Sequence, residues 1–250
     1  MTYTIAIANH KGGVGKTTSA QNIAAGIART GSRVLLIDLD PQANLSDAFG
    51  IEAPERSIYE ALTGKADLPI HQLQQYLHFI PADLDLSVAE IELSGRTGRE
   101  YILKDLLDAV APNYDFVLID CPPSLGLLTV NALTAANEVY IPLDAQYFSM
   151  KGLDKLNVIL EQVRKRLNPD VSIAGVFLTQ YDPRVVVSRN VADMVGQTFG
   201  SRLFKTTIRR NIALVEAPIE NQDIFTYAPR SNGAKDYEAL VQEILAAHQN

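Results

Sequence analysis

Tyr3-Thr4-Ile5-Ala6-Ile7-Ala8 is a short, almost wholly apolar run, and Asn9-His10-Lys11-Gly12-Gly13-Val14-Gly15-Lys16-Thr17-Thr18 follows it directly. A run of this kind, apolar at successive rather than alternate positions, reads as a strand buried on both faces of a parallel sheet. From Ser19 to Arg29 the spacing becomes helical. Strand, glycine-rich loop and helix together are the physical requirement for gripping phosphate. Gly12 and Gly13 reach backbone angles closed to other residues and let peptide N–H groups approach phosphate oxygens, and the helix adds the positive end of its dipole. The general pattern G-x-x-x-x-G-K-[ST] is met at its end by Gly15-Lys16-Thr17, but its first glycine position holds His10. The expected cradle is Lys11, Gly12, Gly13, Val14, Gly15, Lys16, Thr17 and Thr18. Within it Lys16 would neutralise β- and γ-phosphate charge and Thr17 would ligate Mg²⁺. Lys11 is the unusual residue. It precedes the double glycine and cannot easily curl back onto phosphates that its own loop wraps, so a facing subunit's nucleotide is within its reach.

Similar apolar runs recur at 33–38, 77–80, 116–120, 139–143 and 173–179, with helical spacing between them at Ile102, Leu103, Leu106, Leu107 and Val110 and at Leu153, Leu156, Ile159, Leu160 and Val163. This alternation predicts an α/β fold, doubly wound around a mostly parallel sheet with helices on both faces, as one domain over 1–250. The last segment, 233–248, is amphipathic through Tyr237, Leu240, Val241, Ile244 and Leu245 and is expected to pack as a terminal helix. The 250 residues are 47% hydrophobic and 20% charged, with 22 basic and 29 acidic residues giving a net charge of −7. A single cysteine, Cys121, excludes an intramolecular disulfide and a cysteine-based metal cluster within one chain, in keeping with a reducing cytosol. Neither a signal peptide nor an 18-residue apolar span is present, so the expected location is cytoplasmic.

Two further strands end in acids. In Leu36-Ile37-Asp38-Leu39-Asp40-Pro41-Gln42, side chains alternate faces, and Asp40 at the strand exit is the better candidate to orient an attacking water. Asp38 is expected to help the metal or the phosphate loop. In Val117-Leu118-Ile119-Asp120-Cys121-Pro122-Pro123-Ser124, the acid closing an apolar strand has the form of a Walker B residue, with Asp120 holding Mg²⁺ directly or through water. Cys121 is read as a small buried filler.

KGGVGKTT at 11–18, LIDLDPQANLS at 36–46 and LIDCPPS at 118–124, with VEAPI at 215–219 and YAPRSNGAKDY at 227–237, resemble the deviant Walker A ATPases. The likeness is greatest to the ParA/Soj partition group and covers nearly the whole chain. The resemblance implies a P-loop NTPase fold, ATP and Mg²⁺ as ligands, and slow, partner-stimulated hydrolysis. It implies Lys11 as the signature lysine crossing an ATP-sandwich homodimer, with Lys16 and Asp40 as its catalytic companions. It further implies non-specific DNA binding by the ATP dimer, a ParB-like stimulating protein and nucleoid association, for a chromosome or plasmid. The chain begins at its first strand, so the form lacking an N-terminal helix-turn-helix domain is expected. Two departures stand out: Ile208-Arg209-Arg210-Asn211 has Arg where many relatives have Pro, and Asp144 and Gln146 break the usual glutamine-then-glutamate order, so no role is carried onto either.

An acidic chain reaches DNA through local charge. Between 180 and 214 lie six basic residues, Arg184, Arg189, Arg202, Lys205, Arg209 and Arg210, against Asp182 and Asp193, a local balance of +4. These six are the expected DNA contacts. Two alternatives share the ATP site: a MinD-like membrane-associated ATPase, which wants a basic amphipathic terminal anchor that Ile244-Leu245-Ala246-Ala247-His248 does not resemble, and a small-molecule P-loop enzyme such as a dethiobiotin-synthetase-like ligase. A nitrogenase iron protein, whose bridging cluster takes two cysteines per subunit, is excluded.

Overall fold

In the computed structural model, which describes residues 2–145 and 150–249, the apolar runs become strands β1 (Tyr3–Ile7), β2 (Val34–Asp38), β3 (His71–Gln74), β4 (Leu77–Ile80), β5 (Phe116–Asp120), β6 (Glu138–Asp144), β7 (Ser172–Tyr181) and β8 (Leu203–Arg209). Among the described residues they form one eight-stranded sheet in the order β3-β4-β2-β5-β1-β6-β7-β8. Every pairing is parallel except β3 with β4. The helices are α1 (Lys16–Ala28), α2 (Asn44–Asp47), α3 (Ile58–Leu62), α4 (Leu86–Leu93), α5 (Ile102–Asp108), α6 (Leu127–Ala135), α7 (Met150–Arg166), α8 (Val186–Phe199), α9 (Ala213–Glu216), α10 (Ile224–Tyr227) and α11 (Asn232–Ala247). Gln146, whose position departs from the family pattern, lies outside the described residues.

The continuous apolar runs are explained by a sheet covered on both faces. In β1, β2 and β5 odd and even side chains enter different cores. Ile5, Ile7, Val34, Leu36, Phe116 and Leu118 face α1, α10 and α11. Ala6, Leu35, Ile37, Val117 and Ile119 face helices α3 to α8. Helix α1 is buried along nearly all its length and built from small residues, which lets it sit close to both the sheet and α11. At Gly26 an added Cβ would lie 2.7 Å from Val241, so two helices meet there with no room for a methyl group.

Two strands were not anticipated. Strand β3 is a short polar edge, mostly exposed, with none of the alternation that announces a strand. Strand β8 carries the basic residues that suggested only a charged surface, and its support comes from α11. Glu243 accepts from the amides of Lys205 and Thr206 at 2.9 and 2.7 Å, and Asp236 accepts from the amide of Arg209 at 2.9 Å. A helix thus supplies carboxylates where an edge strand lacks a neighbouring strand.

The end of α11 is pinned by His248, whose side chain is 6% exposed. Its Nδ1 lies 2.7 Å from the Ile244 carbonyl and its Nε2 3.0 Å from a Glu138 carboxylate oxygen, while Tyr3 and Phe116 meet the ring edge-on. Both nitrogens face acceptors, so only the imidazolium satisfies both. Burial pulls the His248 pKa down, but Glu138 and the Ile244 carbonyl outweigh it and hold it above 6.5. A folded pKa raised above the unfolded one gives stability that is complete below the unfolded value and lost as pH rises through the folded value. We therefore expect His248→Ala to cost about 1 kcal/mol in urea unfolding at pH 5.5, allowing for the partial exposure of Glu138, and measurably less at pH 8. An equal cost at both pH values would reduce the contact to packing.

Candidate functional site

Strand β1 runs out between two neighbours, and the loop that follows fills the gap beyond the sheet. Asn9 anchors it: its Nδ2 donates to the Pro142 carbonyl at 2.8 Å, and its Oδ1 accepts from the Lys11 amide at 3.0 Å. Gly13 and Gly15 take positive φ of 72° and 84°, angles that exclude a side chain without strain. Helix α1 begins at Lys16, and no side chain caps it, so the N–H groups of its first turn are left for an incoming acceptor. The Lys16 ammonium donates to the Lys11 carbonyl at 3.4 Å and closes the loop on itself. From the opposite side the end of β7 meets the loop: Thr179 Oγ1 donates to the Val14 carbonyl and Gln180 Nε2 to the Gly13 carbonyl, both at 2.9 Å.

The loop forms one wall of a cavity of about 1110 Å³. Gly12, Gly13, Gly15, Lys16, Thr17, Thr18 and Asp40 line it on one side, and Ile208, Arg209, Arg210, Leu214, Pro218 and Ile219 on the other. Val14, placed in the cradle by its position in the motif, turns its side chain into the interior and is 1% exposed.

Register brings the acids together. Asp38 of β2 pairs with Asp120 of β5, and Asp120 pairs with Ile7 of β1, so both carboxylates lie level with the start of the phosphate loop. Their environments differ. Asp38 has its oxygens taken: one accepts from the Asp40 amide at 3.1 Å, the other from the Ser46 amide and hydroxyl at 2.9 and 2.8 Å. Asp38, expected to help the metal or the phosphate loop, has both oxygens engaged by the turn that carries Asp40, through the Asp40 amide and the Ser46 amide and hydroxyl. Burial pushes its pKa up to about 7, against the opposing pull of Ser46 and the Asp40 amide. Neither oxygen of Asp120 has a hydrogen-bond partner, and both are buried. The Thr17 hydroxyl lies close enough to pull on the carboxyl. Burial first, then the Asp38 charge, raises the Asp120 pKa well above the ordinary carboxylate value, with Thr17 and Lys16 pulling the other way. Asp40 is 7% exposed, accepts from the Gln42 amide at 3.0 Å and reaches the cavity wall.

An orphaned buried carboxylate beside a threonine hydroxyl, under a loop built for phosphate, fits a divalent cation that takes most of its ligands from phosphate and water. Among the described residues no group of three or more His, Cys, Asp or Glu forms a closed metal cage, which is the arrangement such a shared cation does not need.

Lys11 occupies a position that the sequence did not foretell. Its ammonium lies 3.1 Å from Asp144 at the end of β6, the two side chains being 34% and 13% exposed. Asp144, to which no role was carried over, is thus the cis partner of the unusual lysine. Its loss of the usual glutamine is a change of charge as well as of shape.

The six basic residues do not form one patch. Parallel strands put all their C-terminal ends at the nucleotide end of the sheet. Arg184 and Arg189 follow β7 there, and Arg209 and Arg210 end β8 there. Arg202 and Lys205 lie at the start of β8, up to roughly 20 Å away along the strand. Arg209 is also held by Asp236 through contacts of 2.6 to 3.1 Å and lines the cavity. Its charge is partnered by Asp236 while the side chain stays 41% exposed. Arg184 pairs with Asp182 but remains 89% exposed, and Arg189 donates to the Pro183 carbonyl at 2.6 Å.

A family model described as an AAA domain matches residues 2–173. The chain is 45% identical over 250 residues to the chromosome-partitioning ATPase Soj of Treponema pallidum, covering 97% of each. The chain belongs to the Soj/ParA family of partition ATPases. It is 44% identical over 253 residues to the chromosome partitioning protein ParA of Caulobacter vibrioides, covering 98% of this chain and 95% of that one. Among solved structures, a Mycobacterium smegmatis protein described as cobyrinic acid a,c-diamide synthase with bound ADP and magnesium superposes with a TM-score of 0.88 and 34% identity, over 100% of this chain and 96% of that one.

In this Soj/ParA member Ser46 is the link between Asp38 and the rest of the fold, since its hydroxyl also accepts from the Ala82 amide at 2.9 Å. Ser46→Ala leaves a buried amide and a buried carboxylate each short of a partner. It should lower unfolding free energy by about 1–3 kcal/mol, read by chemical denaturation; a loss under 0.5 kcal/mol would deny Ser46 this bracing role.

Proposed function

We propose that this chain is a nucleotide-switched partition ATPase that binds ATP with Mg²⁺, dimerises around two nucleotides, binds DNA without sequence preference as that dimer, and lets go when a ParB-like partner stimulates hydrolysis. The observation that carries the reading is the unpartnered Asp120 carboxylate beneath a phosphate loop whose wall also holds Asp40.

In this mechanism Gly13 and Gly15 shape the loop, the first turn of α1 and Lys16 receive the β- and γ-phosphates, and Asp40 orients water for in-line attack on the γ-phosphoryl group. Asp120 and Thr17 are the residues that would hold Mg²⁺, which when bound neutralises charge on the phosphate oxygens. Asp38 supports Asp40 through the turn it braces. Lys11 must leave Asp144 before it can reach a partner's phosphates, so the cis ion pair opposes dimerisation until ATP from a second copy competes for the ammonium. Among the basic residues, Arg184, Arg189 and Arg210 support DNA contact at the nucleotide end; Arg202 and Lys205 would serve a second contact line.

Helix α11 spends its apolar face, Tyr237, Leu240, Val241 and Ile244, inside the core, and among the described residues no helix is long and apolar enough to cross a membrane. The buried apolar face of α11 favours the DNA reading over an interfacial membrane anchor. The synthase description of the Mycobacterium smegmatis structure supports a second reading, ATP-dependent chemistry on a small molecule; that reading predicts turnover indifferent to DNA.

Asp40→Ala should retain ATP and accumulate a DNA-bound dimer while hydrolysis falls at least about 100-fold, the scale of losing a positioned catalytic group; parental turnover in this variant would remove Asp40 from its role. Lys11→Ala should abolish ATP-dependent dimerisation in light scattering, whereas Lys16→Ala should weaken nucleotide binding itself. DNA binding by the parent should require ATP over ADP and fall steeply between 50 and 200 mM salt, on the scale of about 10³ for six phosphate contacts. Binding that ignores both nucleotide and salt would refute the switch.

A further inference from the structure

The two hydrogen bonds from β7 to the loop do more than close a gap. In a planar trans peptide the carbonyl of one residue and the N–H of the next point in opposite directions. Gln180 draws the Gly13 carbonyl towards β7 at 2.9 Å, so the Val14 N–H is turned away from β7. Thr179 draws the Val14 carbonyl the same way at 2.9 Å, so the Gly15 N–H is turned with it. Thr179 and Gln180 both line the cavity together with Gly13 and Gly15, and with the Gly13 and Val14 carbonyls tied to β7 the Val14 and Gly15 N–H groups are left for an acceptor that enters that cavity. Gln180 does this from a φ of +51°, a left-handed conformation that a residue with a Cβ adopts at a cost and that recurs where surrounding structure holds a functional group in place.

We propose that Gln180 is a positioning residue of the phosphate loop: its side-chain amide holds the Gly13 carbonyl outward and so presets the Val14 N–H for a phosphate oxygen. This rests on the ATP reading above. The left-handed backbone serves the placement, because it is what carries the side chain of a strand-terminal residue back over the loop. Thr179, buried and one residue earlier in the strand, supplies the matching restraint on the next peptide group.

The test uses the purified full chain, titrated calorimetrically with a non-hydrolysable ATP analogue and Mg²⁺ and melted without nucleotide. Gln180→Gly removes the donor but takes φ +51° without strain, so it should melt no lower than the parent while binding the analogue about fivefold more weakly, the loss of one neutral hydrogen bond. Gln180→Met, which keeps the length but not the donor, should bind as weakly as Gln180→Gly. Parental affinity in either variant overturns the proposal, as does a fall in melting temperature that tracks the fall in affinity in Gln180→Gly. A parent chain that binds no analogue overturns the ATP reading itself, and this inference with it.

Discussion

Burying an ionised carboxylate with no partner is among the costliest arrangements a protein interior can hold, several kcal/mol even after relaxation. Asp120 escapes that cost only by keeping its proton, since burial and the neighbouring Asp38 raise its pKa well above the ordinary carboxylate value. Three nearby features reduce the cost: the Lys16 ammonium, the Thr17 hydroxyl and the uncapped first turn of α1. None of them satisfies Asp120 by hydrogen bonding. The energy of the site is therefore lowered most by a cation, and a cation there is lowered most by phosphate oxygens on its other side. The cavity, the loop and the acids are parts of one electrostatic problem whose solution is a bound metal–nucleotide pair.

The pair of acids also shows how similar residues acquire different tasks. Asp38 and Asp120 are register partners on neighbouring strands. Asp38 faces the turn at 40–46, where backbone and hydroxyl donors converge on it; Asp120 faces the loop, where neither of its oxygens is hydrogen-bonded. The first becomes scaffolding, the second a ligand in waiting. Asp40 then owes its place in the cavity wall to the turn that Asp38 holds.

Lys11 illustrates a related tension. In the proposed mechanism Lys11 acts across a dimer, and in the single chain it rests on Asp144. A partly exposed ion pair of this kind is worth little, roughly 1 kcal/mol or less. That is enough to give the ammonium a defined resting place and far too little to compete with a triphosphate.

The parallel sheet, the phosphate loop and the acidic strand ends were legible in the residues because each rests on local chemistry: continuous apolar runs need two covered faces, glycines mark angles that other residues avoid, and an acid closing an apolar strand needs a partner, whether a donor or a cation. Strand β3 was silent because a polar edge has no pattern to read. The basic segment misled because charge counted along a chain ignores that a seven-residue strand carries its ends to opposite sides of the molecule, and that Arg209 meets Asp236 from 27 positions away. The tasks of Asp144 and Gln180 were illegible for the same reason. Each is 133 or more residues from the loop atom it holds, and a hydrogen bond between distant segments exists only once the sheet has brought the ends of β6 and β7 beside the end of β1.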